Sequence, residues 1–166
     1  MKIHGRGQAT PIDEFFYKKI RQNFKTPLHR LIFDFGYYTG ERWGAILQLR
    51  VEDVYLDPAR RIVRDEVRFR KSTRKDESTT RQVPIHPHLA LKLRSYKCEP
   101  EGWLFPSLKK PGDHLSSRAA DRALRRAVRR AGLENEGFST HSTRRGFIAE
   151  LDYRFEERRR QAIYLR

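Results

Sequence analysis

Apolar residues recur at helical spacing near the start of the chain. The positions include Ile12, Phe15 and Ile20, and this spacing predicts an amphipathic helix with one buried side. Thr10 stands directly before a proline and two acids, so it is the predicted N-cap of that helix. The polar, glycine-containing residues 1–9 are expected to be flexible.

A second threonine–proline pair, Thr26-Pro27, predicts the start of another helix in the same way. Its expected inward-facing apolar residues are Leu28, Leu31, Ile32 and Phe35. A glycine turn over residues 37–42 then interrupts the pattern. A third helix is predicted after this turn, with Ala45, Ile46 and Leu49 as its apolar residues.

From residue 63 the period changes to two. One set of alternating positions is Val63, Asp65, Val67 and Phe69, and the other is Arg64, Glu66, Arg68 and Arg70. This is strand spacing. A polar, turn-forming stretch covers residues 71–80. Residues 81–85 are the predicted returning strand, and Pro84 restricts that strand to an edge or an end. We therefore predict a β-hairpin with a basic loop.

Helical patterns return after the hairpin. The run His86-Pro87-His88 opens one helix, and its two histidines are either half of a metal site or, as we favour, a capping pair. A later helix over 118–131 begins after a serine cap, Ser116 or Ser117, and ends at Gly132. The order of elements predicts an α+β fold, mostly helical, with a small antiparallel hairpin or three-stranded sheet.

Charge narrows the range of partners. The chain has 166 residues, enough for one domain, and a net charge of +15. Such an imbalance favours nucleic acid over a generally basic solvated surface. A single cysteine, Cys98, excludes an internal disulfide and a cysteine-rich metal framework. No apolar run reaches transmembrane length, so we expect a cytoplasmic protein with no membrane partner, associated with the nucleoid when bound to DNA.

Arginine is concentrated in the predicted helix 118–131, where six arginines accompany a single acid, Asp121. Like charges so close together need a counter-charge, which a phosphate backbone supplies. The residues of this helix predicted to contact DNA are Arg118, Arg122, Arg125, Arg126 and Arg129. Outside the helix, the predicted DNA contacts are Arg74, Lys75 and Arg145.

His141 and Arg144 lie three residues apart at a predicted helix start, so they share one face. Cations there oppose the helix dipole, and an anion held between them would explain their presence. Arg42 stands in a similar first-turn position. The alternative interpretation is that Arg42 is a surface arginine paired with Glu41 or Asp34.

These segments together resemble the catalytic domain of the tyrosine recombinases, also called the phage integrase family. Thr39-Gly40-Glu41-Arg42 resembles the first arginine box of that family. The basic hairpin ending at residues 81–85 resembles its lysine-bearing hairpin, and His141-Ser142-Thr143-Arg144 resembles its His-x-x-Arg box. The motifs occur in order within residues 10–166, which we expect to form an integrase-like catalytic domain.

The resemblance implies DNA strand cleavage and rejoining through a phosphotyrosine link. Arg42 and Arg144 would hold the non-bridging oxygens of the scissile phosphate, since arginine donates paired bonds and stays protonated. His141 would move the proton of the nucleophile or donate to the phosphate. Lys71, chosen over Lys75, would be the general acid for the leaving 5′ oxygen. No metal or other cofactor is implied, because the arginines stabilise the charge.

Three features depart from the family pattern. Ala45 replaces an acid, and Arg145-Gly146 replaces a His-Thr pair. The nucleophilic tyrosine of the family follows the second arginine by about thirty residues, whereas 22 residues follow Arg144. We therefore expect Tyr164 to be a packing residue and Tyr153 to be a poorer candidate still. The final box, the nucleophile and the N-terminal core-binding domain are expected to be absent.

Two functions follow from these observations. The first is an incomplete site-specific recombinase that binds double-stranded DNA, with possible self-association on the DNA, and is inactive alone. The second is a non-enzymatic DNA-binding or regulatory module with the same fold. An RNA-associated basic protein is a third option, and the paired boxes argue against it.

Overall fold

The computed structural model describes residues 8–70 and 79–164. In this part of the chain the α-helices are α1 (Glu14–Arg21), α2 (Pro27–Thr39), α3 (Trp43–Leu47), α4 (Pro87–Ser95), α5 (Ser117–Arg130) and α6 (Ser142–Tyr164). The strands are β1 (Tyr55–Asp57), β2 (Ile62–Val63), β3 (Glu66–Phe69) and β4 (Arg81–Pro84), with a short 3-10 helix at Val51–Asp53. The predicted α+β class, mostly helical with small antiparallel strand pairs, is confirmed.

Helix α2 lies at the centre of the fold, where it contacts α1, α3, α4, α5 and α6. Its predicted start is confirmed, since the Thr26 side chain accepts a hydrogen bond from the backbone N–H of His29 at 3.2 Å. Its buried apolar side chains include Leu31, Ile32, Phe33 and Phe35. A helix that meets neighbours on several sides needs apolar residues around most of its circumference, which explains this composition.

The first helix begins later than the sequence predicted. Its N-cap is Asp13, whose carboxylate accepts a hydrogen bond from the N–H of Phe16 at 2.9 Å. Thr10, the predicted cap, instead donates its hydroxyl hydrogen to the carbonyl of Glu136. The prediction that Phe15 faces the core is also wrong, because this residue is 65% exposed. The Thr10 hydroxyl thus makes a tertiary hydrogen bond and does not cap the helix.

The strands form two separate antiparallel pairs, β1–β2 and β3–β4. In β3–β4 the register joins Val67 to Val83 and Phe69 to Arg81, so the predicted hairpin is present. Val63, which the alternating pattern placed in the same strand as Phe69, belongs to β2 and pairs with β1. Within residues 8–70 and 79–164 the strands therefore make two small sheets and not one three-stranded sheet.

Local capping groups fix the ends of α4 and α5. His86 Nδ1 accepts a hydrogen bond from the N–H of His88 at 3.1 Å, as expected for a capping pair. Ser116 Oγ caps α5, and Gly132 ends that helix with φ of 72°, as predicted. In the part of the chain that the structure describes, no group of three His, Cys, Asp or Glu side chains could hold a metal ion.

Helix α6 runs without a break for 23 residues. Its first turn is buried at Ser142 and Thr143, whereas residues 148–163 are exposed throughout. Among the described helices, none is long and apolar enough to cross a membrane. The start of α6 is therefore the part that packs into the fold and positions side chains of functional interest.

Candidate phosphate-binding site

The first arginine box forms a sharp corner at the end of α2. Gly40 has a φ of 66°, a left-handed conformation that glycine adopts without strain. The hydroxyl of Thr39 donates to the carbonyl of Phe35 at 2.5 Å and accepts from the N–H of Glu41 at 3.2 Å. These bonds fix the backbone so that Arg42 becomes the N-cap residue of α3, with its side chain exposed.

The alternative interpretation of Arg42, as half of a surface ion pair, is wrong. Asp34 is fully buried and accepts hydrogen bonds from Arg21 at 2.7 and 2.9 Å and from the Tyr17 hydroxyl at 2.5 Å. Glu41 accepts from the guanidinium of a different arginine, on β4. Within residues 8–70 and 79–164, Arg42 makes no ion pair or side-chain hydrogen bond, so its donors can bind an external anion.

The second box is held in place by its two middle residues, both of which are buried. The Ser142 hydroxyl accepts a hydrogen bond from the backbone N–H three residues earlier at 2.9 Å. The Thr143 hydroxyl accepts one from the indole N–H of Trp43 at 3.1 Å. Trp43 directly follows Arg42, and Thr143 directly precedes Arg144. This bond therefore ties the two boxes together at the residues next to their arginines.

Arg144 reaches the corner that carries Arg42. Its Nη1 donates a hydrogen bond to the carbonyl of Gly40 at 3.0 Å. Gly40 lies two residues before Arg42, and two consecutive Cα–Cα steps span at most about 7.6 Å. Among the residues that the structure describes, the Arg144 side chain makes no other hydrogen bond, so the further N–H donors of its guanidinium are available. The structure thus brings the two predicted phosphate-binding arginines to one small region.

Close packing around the boxes requires glycine at positions 36 and 146 as well as at Gly40. A Cβ atom at Gly36 would lie 2.7 Å from the Thr143 hydroxyl and 2.8 Å from Trp43 Nε1. A Cβ atom at Gly146 would lie 2.1 Å from the carbonyl oxygen of Ile12, whose own N–H donates to the first carbonyl of α6 at 3.2 Å. The departure from the family pattern at Gly146 therefore has a local steric cause.

His141 directly precedes α6, and its side chain is exposed. Its N–H donates to the Ser139 hydroxyl at 3.3 Å, and its carbonyl accepts from the N–H of Arg145 at 3.1 Å. The backbone is thus fixed, while the imidazole makes no hydrogen bond to any residue that the structure describes. Arg144 lies in the first turn of the same helix. The ring is accessible to a ligand at the start of α6.

The hairpin approaches the same corner through Arg81. Its Nη1 donates to Glu41 Oε1 at 2.8 Å, and Arg81 pairs with Phe69 at the end of the β3–β4 register. The hairpin residues that the sequence predicted as functional and that lie outside the described residues are Lys71, Arg74 and Lys75. The strand end next to this loop is therefore fixed beside the first arginine box.

The six arginines of α5 are all exposed. Arg125 pairs with Asp121 at 2.8 Å, and Arg130 donates to the carbonyl of Asn23. The other four make no ion pair or side-chain hydrogen bond among the described residues, and we call them the unpaired arginines: Arg118, Arg122, Arg126 and Arg129. Intervals of four, four and three residues place them on one face of the helix. The opposite face packs into the core through Leu124 and Val128.

Sequence reasoning missed the contacts that organise the site. Thr143 and its partner Trp43 are 100 residues apart, and a threonine near a helix start is equally typical of a cap. The sequence indicates Glu41 only as a surface partner for Arg42, whereas the structure shows a buried carboxylate. Its position between a glycine turn and the arginine was the only available signal.

Several solved structures share this fold. The XerH site-specific recombinase bound to difH substrate, in a pre-cleavage complex, matches with a TM-score of 0.63 and 18% identity, covering 88% of this chain and 43% of that chain. An integrase from mycobacterium phage Brujita matches with a TM-score of 0.64 and 17% identity, over 87% of this chain and 44% of that chain. A lambda integrase dimer bound to a COC′ core site matches with a TM-score of 0.60 and 21% identity, over 85% and 40%. The chain thus spans less than half the length of these three proteins.

The sequence was compared with curated proteins and with protein-family models. No curated protein matches the chain at a significant level. The family model described as "Phage integrase family" matches residues 12–153, a range that includes both arginine boxes and the hairpin. The chain belongs to the phage integrase family.

Proposed function

We propose that this chain is catalytic-domain sequence of a tyrosine site-specific recombinase, which binds double-stranded DNA and cleaves and rejoins its strands through a phosphotyrosine link. The observation that carries the proposal is the hydrogen bond from Arg144 to Gly40 at 3.0 Å. It sets Arg144 beside the corner that presents Arg42. Arg42 and Arg144 both stand at helix starts, where cations oppose the helix dipole, so an anionic ligand is the better explanation of their placement.

The proposed ligand is the scissile phosphate. As a tyrosine oxygen attacks the phosphorus, a phosphotyrosine bond forms and the bond to the 5′ oxygen breaks. Negative charge grows on the non-bridging oxygens, to which Arg42 and Arg144 would donate charge-assisted hydrogen bonds without changing protonation. His141, exposed at the same helix start, would accept the tyrosine proton or donate to the phosphate.

Lys71 is proposed as the general acid that protonates the leaving 5′ oxygen. Phe69, two residues earlier, forms a rung with Arg81, and the Arg81 side chain reaches Glu41. A lysine that follows this rung closely is a better candidate than Lys75, which comes four residues later.

Neither tyrosine of α6 is proposed as the nucleophile. Tyr153 follows Arg144 by nine residues on the same helix, which corresponds to about 13 Å along the axis, and it is 62% exposed. Tyr164 is about 30 Å along the axis from Arg144. Both lie far from the helix start, where the phosphate would be held. We propose that the attacking tyrosine is neither of these two and that residues 1–166 alone do not cleave DNA.

The unpaired arginines of α5 are proposed to hold the DNA backbone. They lie along one helix face over about 16 Å, a length that matches several successive phosphates of a duplex. Each phosphate that they neutralise would release counterions, so affinity should fall steeply with salt. Self-association on the DNA, and a location in the cytoplasm at the nucleoid, belong to the same proposal.

The DNA affinity of Arg42→Ala and Arg144→Ala variants tests the proposed site. With a labelled duplex of about 30 base pairs, each substitution should weaken binding on the order of tenfold. Arg68→Ala is the control, because Arg68 is exposed on β3 and makes no ion pair among the described residues. It should give only the smaller loss that follows from removing one positive charge.

Equal losses for all three variants would favour the alternative function, a non-enzymatic DNA-binding module that relies on α5. The exposed stripe of unpaired arginines is the observation that supports this alternative. A second assay tests the nucleophile. No covalent adduct with nicked DNA is expected from the chain alone, and an adduct that disappears in Tyr153→Phe or Tyr164→Phe would show that α6 carries the attacking residue.

A further inference from the structure

Glu41 is a buried carboxylate in the middle of the first arginine box. It is 3% exposed, and it accepts a hydrogen bond from Arg81 Nη1 at 2.8 Å. Burying a carboxylate is costly unless it is paired and hydrogen-bonded. Even a paired buried carboxylate is often no more stabilising than an apolar residue of similar volume, so the presence of a glutamate at this position calls for another explanation.

We propose that Glu41 and Arg81 form a positioning pair, which sets the β3–β4 strands against the arginine site and thereby orients Arg42 for phosphate binding. This inference rests on the proposed function, because it concerns the same anion site. Neither residue touches the phosphate. Glu41 positions the backbone of the adjacent Arg42, and Arg81 links Glu41 to strand β4.

Three consecutive residues make the corner a junction for all three motifs. The Gly40 carbonyl accepts a hydrogen bond from Arg144 of the second box at 3.0 Å. The Glu41 side chain accepts from Arg81 of the hairpin at 2.8 Å. The side chain of Arg42 is the exposed member of the three. Any shift of the hairpin relative to α2 would therefore be transmitted directly to the backbone that carries Arg42.

A second ion pair holds the other strand of the hairpin. Arg70 directly follows β3, and its guanidinium donates to Asp53 at 2.9 Å and to Glu52 at 2.5 Å. Asp53 is buried like Glu41 and also accepts the backbone N–H of Arg50 at 2.9 Å. Each strand thus ends in an arginine bound to a buried carboxylate. Of the two carboxylates, only Glu41 is adjacent to a predicted phosphate ligand.

The substitution Glu41→Gln separates positioning from general electrostatics, because the two effects have opposite signs. Removing a negative charge from a DNA-binding protein should strengthen binding to a polyanion. A weakened pair should instead release the corner and weaken binding by about threefold to tenfold. Glu66→Gln is the matched control, since Glu66 is exposed on β3 and has no ion pair among the described residues. That control should leave affinity unchanged or raise it slightly.

A double-mutant cycle on the labelled duplex identifies the route of the effect. The loss caused by Glu41→Gln should disappear in an Arg42→Ala background, because the arginine that Glu41 positions is gone. It should persist in an Arg126→Ala background, since that arginine binds independently. Tighter binding by Glu41→Gln, or an equal loss in both backgrounds, would overturn the positioning role. If Arg42→Ala itself has no effect, the proposed function fails and not merely this inference.

Thermal unfolding shows whether Glu41→Gln is folded. If it is not, a second variant, Arg81→Gln, provides the test. Arg81→Gln breaks the pair from its other end, where the side chain is 46% exposed. Arg68→Gln is its control, because both substitutions remove one positive charge from the same strand pair. Arg81→Gln should weaken binding at least about threefold more than Arg68→Gln, and Arg81→Lys should restore part of that loss. Equal losses for the two glutamine variants would exclude the positioning role.

Discussion

The hydrogen bond between Trp43 and Thr143 should measure how strongly the two arginine boxes are joined. Thr143→Val keeps nearly the same volume but removes the hydroxyl that accepts from the indole N–H at 3.1 Å. Because Trp43 and Thr143 are both buried, the indole N–H would then lack a partner. An unsatisfied buried donor costs about 1–3 kcal/mol, which corresponds to a fall in Tm on the order of 5 °C for a domain of this size.

Urea denaturation of four proteins provides the assay: the original chain, Thr143→Val, Trp43→Phe and the double variant. Trp43→Phe removes the donor, so the valine substitution should cost less in that background. We expect a coupling free energy of about 1 kcal/mol. Thr143→Ser, which retains the hydroxyl, should preserve most of that coupling. If Thr143→Val lowers the free energy of unfolding equally in the original chain and in the Trp43→Phe background, the claim that this bond joins the boxes is refuted.

The DNA affinity of Thr143→Val extends the same prediction to function. The substitution changes no charge, so general electrostatics predicts no effect on binding. If the bond positions Arg42 and Arg144 relative to each other, affinity should fall severalfold while the salt dependence of binding stays the same. Unchanged DNA affinity would show that the bond contributes to stability and not to DNA binding.

Three further predictions concern other parts of the molecule. Gly146→Ala should destabilise the fold by about 1–3 kcal/mol in urea denaturation, because the added Cβ would lie 2.1 Å from the Ile12 carbonyl oxygen. Gly44→Ala should not do so, since open space surrounds that position. Replacing the unpaired arginines of α5 by glutamine, one at a time, should reduce the slope of log affinity against log salt by up to about 0.9 each, as measured by titration at several salt concentrations. Burial, and then the positive charge of Arg126, lower the pKa of the His29 imidazole. The unfolded chain therefore binds a proton at His29 more readily than the folded chain, so the contribution of neutral His29 to stability is complete above a pH of about 6.5 and is lost as the pH falls below it. His29→Gln should reduce the loss of stability that urea denaturation measures at acid pH.

Local signals predicted the elements whose ends are fixed locally. Thr26 caps α2, and Ser116 and Gly132 bound α5, because each acts on backbone groups within a few residues. The same kind of signal failed at Thr10, whose hydroxyl and N–H bond to residues 136 and 137. The alternating run that includes Val63 failed for a similar reason. The run is divided between β2 and β3, because the N–H of Arg64 donates to a carbonyl ten residues earlier and not to the hairpin partner.

The candidate site was predicted in its residues but not in its geometry. A helix start with His141 and Arg144, and an unexplained Arg42, are visible in the sequence because their charges oppose the helix dipole. The partners that bring them together are not visible. Glu41 and Arg81 are 40 residues apart in the chain, and nothing in either local pattern distinguishes a buried ion pair from two solvated charges.

The segment before α1 has a mechanical consequence. Its backbone is bonded to the region of the second box twice, from Thr10 to the carbonyl of Gly137 and from Ile12 to the carbonyl of Ser142, each at 3.2 Å. Gly146 leaves room for this segment to lie directly on α6. A pulling force applied at residue 10 would load these two bonds before it reached α1. Tension from an attached protein or surface would therefore act first on the helix start that carries His141 and Arg144, and immobilisation for force or surface assays should use another position.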